Sequence, residues 1–155
     1  MRERGQAVVE FSLLIVPFVL LALGSMTVSW LLLQNVNVSG AAQAAAREAV
    51  LTSNWTTSNG TAECASSGLN IAIEAQGASP MVPINPGELC NSTVYPNVYT
   101  QVPVAGRASI QVVLGGTPSK PTSFDVTVSF PVHPLAVDPQ FSTTLVGHST
   151  LEAYS

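Results

Sequence analysis

An unbroken run of apolar residues lies near the N-terminus, and the rest of the chain mixes polar segments with short apolar stretches. The apolar core extends from Phe11 to Leu33, and no charged residue occurs between Glu10 and Arg47. About 20 such residues suffice to cross the hydrocarbon layer of a membrane as an α-helix. The pattern therefore predicts a membrane-spanning helix at the start of the chain.

The predicted helix continues past the apolar core. Gly40 is followed by AAQAAAREAV, a stretch of strong helix formers, and then by TSNWTTSNG, which is rich in turn formers. We expect a helix over residues 7–51, about 65 Å long at a rise of 1.5 Å per residue. The alternative is a pair of helices that are separated by a break at residues 35–40.

From residue 69 onward the hydrophobic pattern favours β-strands. LNIAIEA, RASIQVVLG and FDVTVSFPV alternate apolar and polar positions, and STTLVGHSTLEAY is long enough for one more strand. The clearest alternation places four apolar side chains on one face: Phe124, Val126, Val128 and Phe130. An antiparallel sheet of three or four strands that packs on the helix gives an α+β fold.

Prolines mark where this sheet should be interrupted. Residues 76–106 contain several prolines and few apolar alternations, which predicts a long loop. Pro131 and Pro134 are expected to end the third strand or to place it at a sheet edge, because proline cannot donate a ladder hydrogen bond.

The charge distribution predicts the orientation of the membrane helix. Only 9% of the residues are charged, against about a quarter in soluble domains, and the net charge is −4. Five Lys and Arg cannot form a basic patch, so we expect no nucleic-acid partner.

Arg2 and Arg4 precede the apolar run, which predicts a cytoplasmic N-terminus and an exported remainder.

The two cysteines and two histidines of the chain match no metal-binding or catalytic motif. Cys64 and Cys90 lack a CxxC spacing or a neighbouring histidine, so a disulfide in an oxidising compartment is predicted rather than a metal site. Two buried free thiols are the alternative. His133 and His148 belong to no HExxH, Gly-x-Ser-x-Gly or phosphate-binding motif, and His148 with Glu152 should share a strand face without binding metal. We predict no catalytic residue, metal or cofactor.

The position of Glu10 separates three interpretations of the N-terminus. A secretory signal has an apolar core of about 7–15 residues, shorter than this one, and neither a signal nor a simple anchor requires an acid at its edge. The pattern Gly5-x-x-x-x-Glu10-Phe11 before an apolar helix resembles the processing site of type IV-like prepilins. Over residues 4–24, the run RGQAVVEFSLLIVPFVLLALG resembles the TadE/TadF minor pilins, or pseudopilins, of the Flp/Tad branch.

This resemblance implies a processed pilin. A membrane-embedded prepilin peptidase would cut between Gly5 and Gln6, giving a leader of residues 1–5, a transmembrane and stalk helix of residues 6–51 and an exported domain of residues 52–155. Other major and minor pilins, the inner-membrane Tad assembly platform and membrane lipid would be its partners. It would reside in the bacterial inner membrane or in a surface pilus, and would act in pilus initiation, tip formation or assembly.

Two partners are open for the Glu10 carboxylate. One is the dipole at the N-terminus of its own helix, which favours an acid by about 0.3–1 kcal/mol. The other is the N-terminal ammonium of a neighbouring subunit, which would offset the roughly 2.5–3.5 kcal/mol that a charge costs in a membrane. Phe11 completes the recognition motif.

Four further residues of the helix are candidates for helix packing. Pro17 removes a backbone hydrogen bond and predicts a local bend. Gly24 is small, and Ser25 and Ser29 form a small-xxx-small pair that permits close helix approach. The rival functions are a binding domain on an uncleaved anchor and a secreted domain that signal peptidase releases.

Overall fold

The computed structural model describes residues 3–51, 55, 64–65, 68–91, 95, 97–132 and 143–153. Its two helices and six strands follow in chain order: α1 Glu3–Leu51, β1 Cys64–Ala65, α2 Gly68–Ala78, β2 Leu89–Asn91, β3 Val98–Thr100, β4 Ser109–Thr117, β5 Lys120–Val132 and β6 Thr143–Glu152. The chain divides into two compact units, Met1–Leu33 and Gln34–Ser155. The long apolar helix followed by an antiparallel sheet confirms the predicted α+β class.

Helix α1 is continuous over its 49 residues. It passes through residues 35–40 without a break, so the alternative of two separate helices is wrong. It also includes Pro17, which the helix accommodates in its interior. In the described part of the chain α1 is the one helix that is long and apolar enough to cross a membrane.

In the first unit, the large apolar side chains of α1 point outward. Phe11 is 65% exposed and Leu21 is 74% exposed, and their neighbours along the run are similar. A monomeric soluble protein rarely exposes a contiguous apolar surface of this extent. The first unit therefore requires lipid or other helices around it.

The C-terminal part of α1 belongs to the second unit and forms part of its core. Its buried residues recur at helical spacing: Val38, Ala41, Ala42, Ala45, Ala46 and Ala49. The alanine-rich stretch therefore does more than favour a helix. Its buried alanines form a core face, and their small side chains permit close packing. The compact unit thus begins inside α1, whereas the boundary at residues 51/52 stays a prediction.

The sheet is an antiparallel meander in which the strands lie in chain order, β1 to β6. The predicted apolar face of β5 is confirmed, because Phe124, Val126 and Val128 are buried. They lie opposite Leu114, Val112 and Ile110 of β4, which are buried as well. This two-strand layer, with the alanines of α1, forms the hydrophobic core of the second unit.

Two predictions about secondary structure are wrong. LNIAIEA lies in α2 and not in a strand, because Ile71, Ala72 and Ala75 fit one buried helix face as well as the letters fit alternation. The segment 76–106 is not only a loop, since it contains β2 and β3. Both strands have three residues, too few for a period of two to be visible in the sequence.

Pro131 lies close to the end of its strand but does not end it. It lies in β5 one residue before the strand ends at Val132. The pairing of β5 with β4 stops at Ser129, so Pro131 is paired with β6 only. Proline has no N–H to donate to a ladder, and β4 is no longer paired with β5 at this position. Pro134 lies outside the described residues.

Side-chain amides hold the segment between α2 and β2 in place. Gln101 is 1% exposed; its Nε2 donates to the carbonyl oxygens of Asn85 and Gly87, and its Oε1 accepts from the Ile110 N–H. Gln76 binds the backbone of Val82 and Ile84 in a similar way. These neutral groups satisfy backbone polar atoms that no strand pairs.

We expect Gln101→Leu to lower the free energy of unfolding of the second unit by about 2 kcal/mol, because it leaves buried backbone groups unpaired. The measurement is chemical unfolding of the full chain in detergent. Gln111→Leu is the matched control, since Gln111 is exposed and makes one long hydrogen bond of 3.4 Å. Equal losses in the two variants would contradict the role given to Gln101.

Candidate processing and assembly site

The predicted cleavage site lies in the first turns of α1. The backbone of Gly5 and Gln6 is helical, and the structure describes no side chain before Val9. Glu10 and Phe11 follow on the same helix, and both side chains are exposed. The proposed motif therefore lies on one continuous helical segment, with Glu10 just over one turn beyond Gln6.

Glu10 has no partner for its charge among the residues that the structure describes. It makes no ion pair or hydrogen bond there, and its neighbours Val9, Phe11 and Leu13 are exposed apolar residues. Because α1 begins at Glu3, Glu10 lies beyond the first turn, to which the stabilisation by the helix dipole is confined. The described residues therefore offer this carboxylate little compensation.

The polar side chains in the apolar run are satisfied within the helix. Ser25 Oγ donates to the Ala22 carbonyl at 2.9 Å, and Ser29 Oγ donates to the Ser25 carbonyl at 2.8 Å. Their hydroxyl protons are thus not available to a neighbouring helix in this arrangement. A Cβ atom on Gly24 would meet nothing within 4 Å. The packing role of Gly24, Ser25, Ser29 and Pro17 stays a prediction.

The two cysteines lie on neighbouring strands. The Cα atoms of Cys64 in β1 and Cys90 in β2 are direct partners of the antiparallel pair. The sequence contains no third cysteine. This register supports a Cys64–Cys90 disulfide, which stays a prediction.

A close contact between a histidine and a carboxylate could not be predicted from the sequence. His148 Nε2 lies 2.6 Å from Asp125 Oδ1, and the two side chains are 56% and 44% exposed. The register of β5 and β6 makes them diagonal neighbours on the outer face of the sheet. Such an exposed pair contributes about 0–1 kcal/mol, so it is a minor surface feature. Glu152 shares the strand with His148, and His133 lies outside the described residues.

Comparison with known proteins matches the N-terminal part of the chain to a family. Residues 5–47 match the TadE-like protein family. The matched segment begins at Gly5, includes Glu10 and Phe11, and ends four residues before α1 does. Searches of curated proteins and of solved structures found no match. The match confirms the resemblance that the run RGQAVVEFSLLIVPFVLLALG carries.

The TadE-like match supports a pilin role connected with a Tad pilus, with other pilins as partners. Together with the exposed apolar face of α1, it indicates anchoring in a membrane. The match covers about a quarter of the chain and includes no strand, so the second unit is described by its structure alone.

Proposed function

We propose that the chain is a TadE-like minor pilin that a prepilin peptidase processes between Gly5 and Gln6. The match over residues 5–47 and the helical segment that carries Gly5, Gln6, Glu10 and Phe11 support this proposal. Cleavage removes Arg2 and Arg4 and leaves an ammonium group on Gln6. The positive ammonium group of Gln6 then begins the processed chain, just over one helical turn before Glu10.

The observation that carries the proposal is the unpaired Glu10 carboxylate on an apolar helix surface. In a membrane this charge costs roughly 2.5–3.5 kcal/mol, and a neighbouring subunit's N-terminal ammonium would offset much of that cost. Such a pair also fixes the axial stagger between two helices, because only one offset brings the charges together. Assembly is thus favoured at a defined register.

In this proposal the N-terminus enters the inner membrane from the cytoplasmic side, and the second unit is exported. The processed chain joins other pilins helix to helix at the Tad assembly platform and acts in pilus initiation, tip formation or assembly. It performs no catalysis of its own. The exposed apolar side chains between Phe11 and Leu33 are the surface that lipid covers first and neighbouring pilin helices cover afterwards.

The test replaces Glu10 with Gln in the native cell. We expect cleavage after Gly5 to persist, because the peptidase acts at the glycine. Incorporation into complexes with other pilins should fall about tenfold, since about 1.4 kcal/mol of pairing is a factor of ten. Incorporation is measured by crosslinking followed by quantitative mass spectrometry of the captured pilins.

Glu74→Gln is the matched control, because it removes one exposed carboxylate from α2 in the second unit. Its incorporation should equal that of the natural chain. If Glu10→Gln also assembles normally, the pairing of Glu10 with a neighbouring N-terminus is wrong. The dipole at the N-terminus of its own helix would then be the partner of the acid.

A further inference from the structure

A groove with a volume of about 250 Å³ lies in the second unit, beside α2. Its walls are Ala72 and Ile73 of α2 on one side and Ile84 and Pro86 on the other, with Gln76 and Arg107 as its polar members. Ile73 is 57% exposed at the rim. The groove is therefore apolar along its walls and open to solvent.

The backbone of Ile84 forms one wall of the groove. The peptide groups on either side of it pair with Ala108: the Asn85 N–H donates to the Ala108 carbonyl, and the Ala108 N–H donates to the Pro83 carbonyl. The N–H and C=O of Ile84 itself meet side chains instead. Gln76 Oε1 accepts the N–H at 2.7 Å, and Arg107 Nη1 donates to the C=O at 3.3 Å.

A tight turn fixes the position of Arg107. The Arg107 N–H donates to the Val104 carbonyl, and Gly106 has a φ of 72°, as the third residue of a type II turn requires. This turn carries the guanidinium to the edge of the groove.

The charge of Arg107 is not neutralised. Within the described residues its guanidinium makes only the long bond to the Ile84 carbonyl and no ion pair. A guanidinium has five N–H donors in a planar fork that matches a carboxylate. One cation beside the apolar walls of a groove is complementary to a ligand that carries both a carboxylate and an apolar group.

We propose that this groove binds a segment of a partner protein in which a carboxylate follows an apolar side chain. The apolar side chain packs between Ile73, Ile84 and Pro86, and the carboxylate pairs with Arg107. The site lies wholly in the second unit, so it does not depend on cleavage or on Glu10. The second unit thus has a contact to a partner protein that does not involve α1.

The test is an NMR titration of the full chain, labelled with ¹⁵N, in detergent micelles. The probes are the peptides acetyl-Leu-Glu-amide and acetyl-Leu-Gln-amide, which differ only in charge, and inorganic phosphate. We expect the acidic peptide to shift the amide signals of Ile73, Gln76, Ile84 and Arg107 with a Kd on the order of 1 mM. The Gln peptide should bind about fivefold more weakly, because an exposed charge pair contributes about 1 kcal/mol.

Three variants sharpen the result. Arg107→Gln should remove the difference between the two peptides, and Ile73→Ser should weaken both by a similar factor. Lys120→Gln, which removes an exposed cation at the start of β5, should change neither. Equal binding of the two peptides to the natural chain, stronger shifts with phosphate than with the acidic peptide, or the absence of saturable shifts would each overturn the proposal.

Discussion

Gly147→Ala is expected to lower the free energy of unfolding of the second unit by about 3 kcal/mol. Gly147 lies in β6 on the face toward α1, where the strand and the helix approach each other through backbone atoms. A Cβ atom on Gly147 would lie 2.5 Å from the Val38 carbonyl oxygen and 3.0 Å from the Ser39 nitrogen. Backbone cannot rotate away as a side chain does, so the strand or the helix must shift.

The measurement is thermal unfolding of the full chain in detergent, followed by the fluorescence of Trp55. Trp55 is 1% exposed and packs against Tyr99 and Phe124, so its signal reports on the core of the second unit. A Trp30→Phe background removes the other tryptophan of the chain. In that background Gly147→Ala should lower the Tm by about 10 °C.

Gly77→Ala provides the control for the glycine substitution itself. A Cβ atom on Gly77 would meet nothing within 4 Å, and alanine is the better helix former in α2. This variant should raise the stability by up to about 1 kcal/mol. If Gly147→Ala unfolds at the same temperature as the Trp30→Phe background, the close approach of β6 to α1 is wrong.

Removal of the predicted disulfide should have an effect of similar size. Cys64→Ala, Cys90→Ala and the double variant should each lower the free energy of unfolding by about 3.5 kcal/mol, since all three open the same loop. The strands concerned are short: β1 has two residues and β2 has three. So few ladder hydrogen bonds hold this edge of the sheet weakly without the covalent link.

The oxidation state is measured by maleimide labelling of the denatured natural chain. We expect no label without reductant and two labels after reduction. Chemical unfolding of the three variants, with the Trp55 signal, then gives the stability change. Two labels without reductant, together with a loss below about 1 kcal/mol in the double variant, would show that the cysteines are free thiols.

The long-period features of the fold could be predicted from the sequence because they depend on many residues. The 49 residues of α1 carry apolar length and helix propensity together, and FDVTVSFPV, the larger part of β5, carries a clear alternation. When a hydrophobic pattern repeats over several helical turns or several strand residues, only one type of secondary structure fits it. Both elements were therefore expected, and the buried face of β5 as well.

The short elements could not be predicted in the same way. LNIAIEA fits a strand by alternation and a helix by the spacing of Ile71, Ala72 and Ala75, and only packing in the folded unit decides between them. The three residues of β2 and of β3 are too few to show a period. Tertiary pairing thus determines the structure where local preference is ambiguous.

One candidate site can be recognised in the sequence, whereas the others become visible only in the folded structure. Gly5, Glu10 and Phe11 lie within seven consecutive residues, so their motif can be recognised in the sequence itself. The groove at Arg107 combines α2 with residues 84, 86 and 107, which only the fold brings together. The pair of His148 and Asp125 likewise requires the register of β5 and β6.

The mass of the mature N-terminal peptide, from protein isolated from its native cell, tests the central claim most directly. The account predicts that the chain starts at Gln6 and that the residues MRERG are absent, because the peptidase cuts after Gly5. A chain that retains Met1 and both N-terminal arginines would contradict a processed pilin and would favour an uncleaved anchor. A start after Gly40 would contradict both and would indicate a secreted domain.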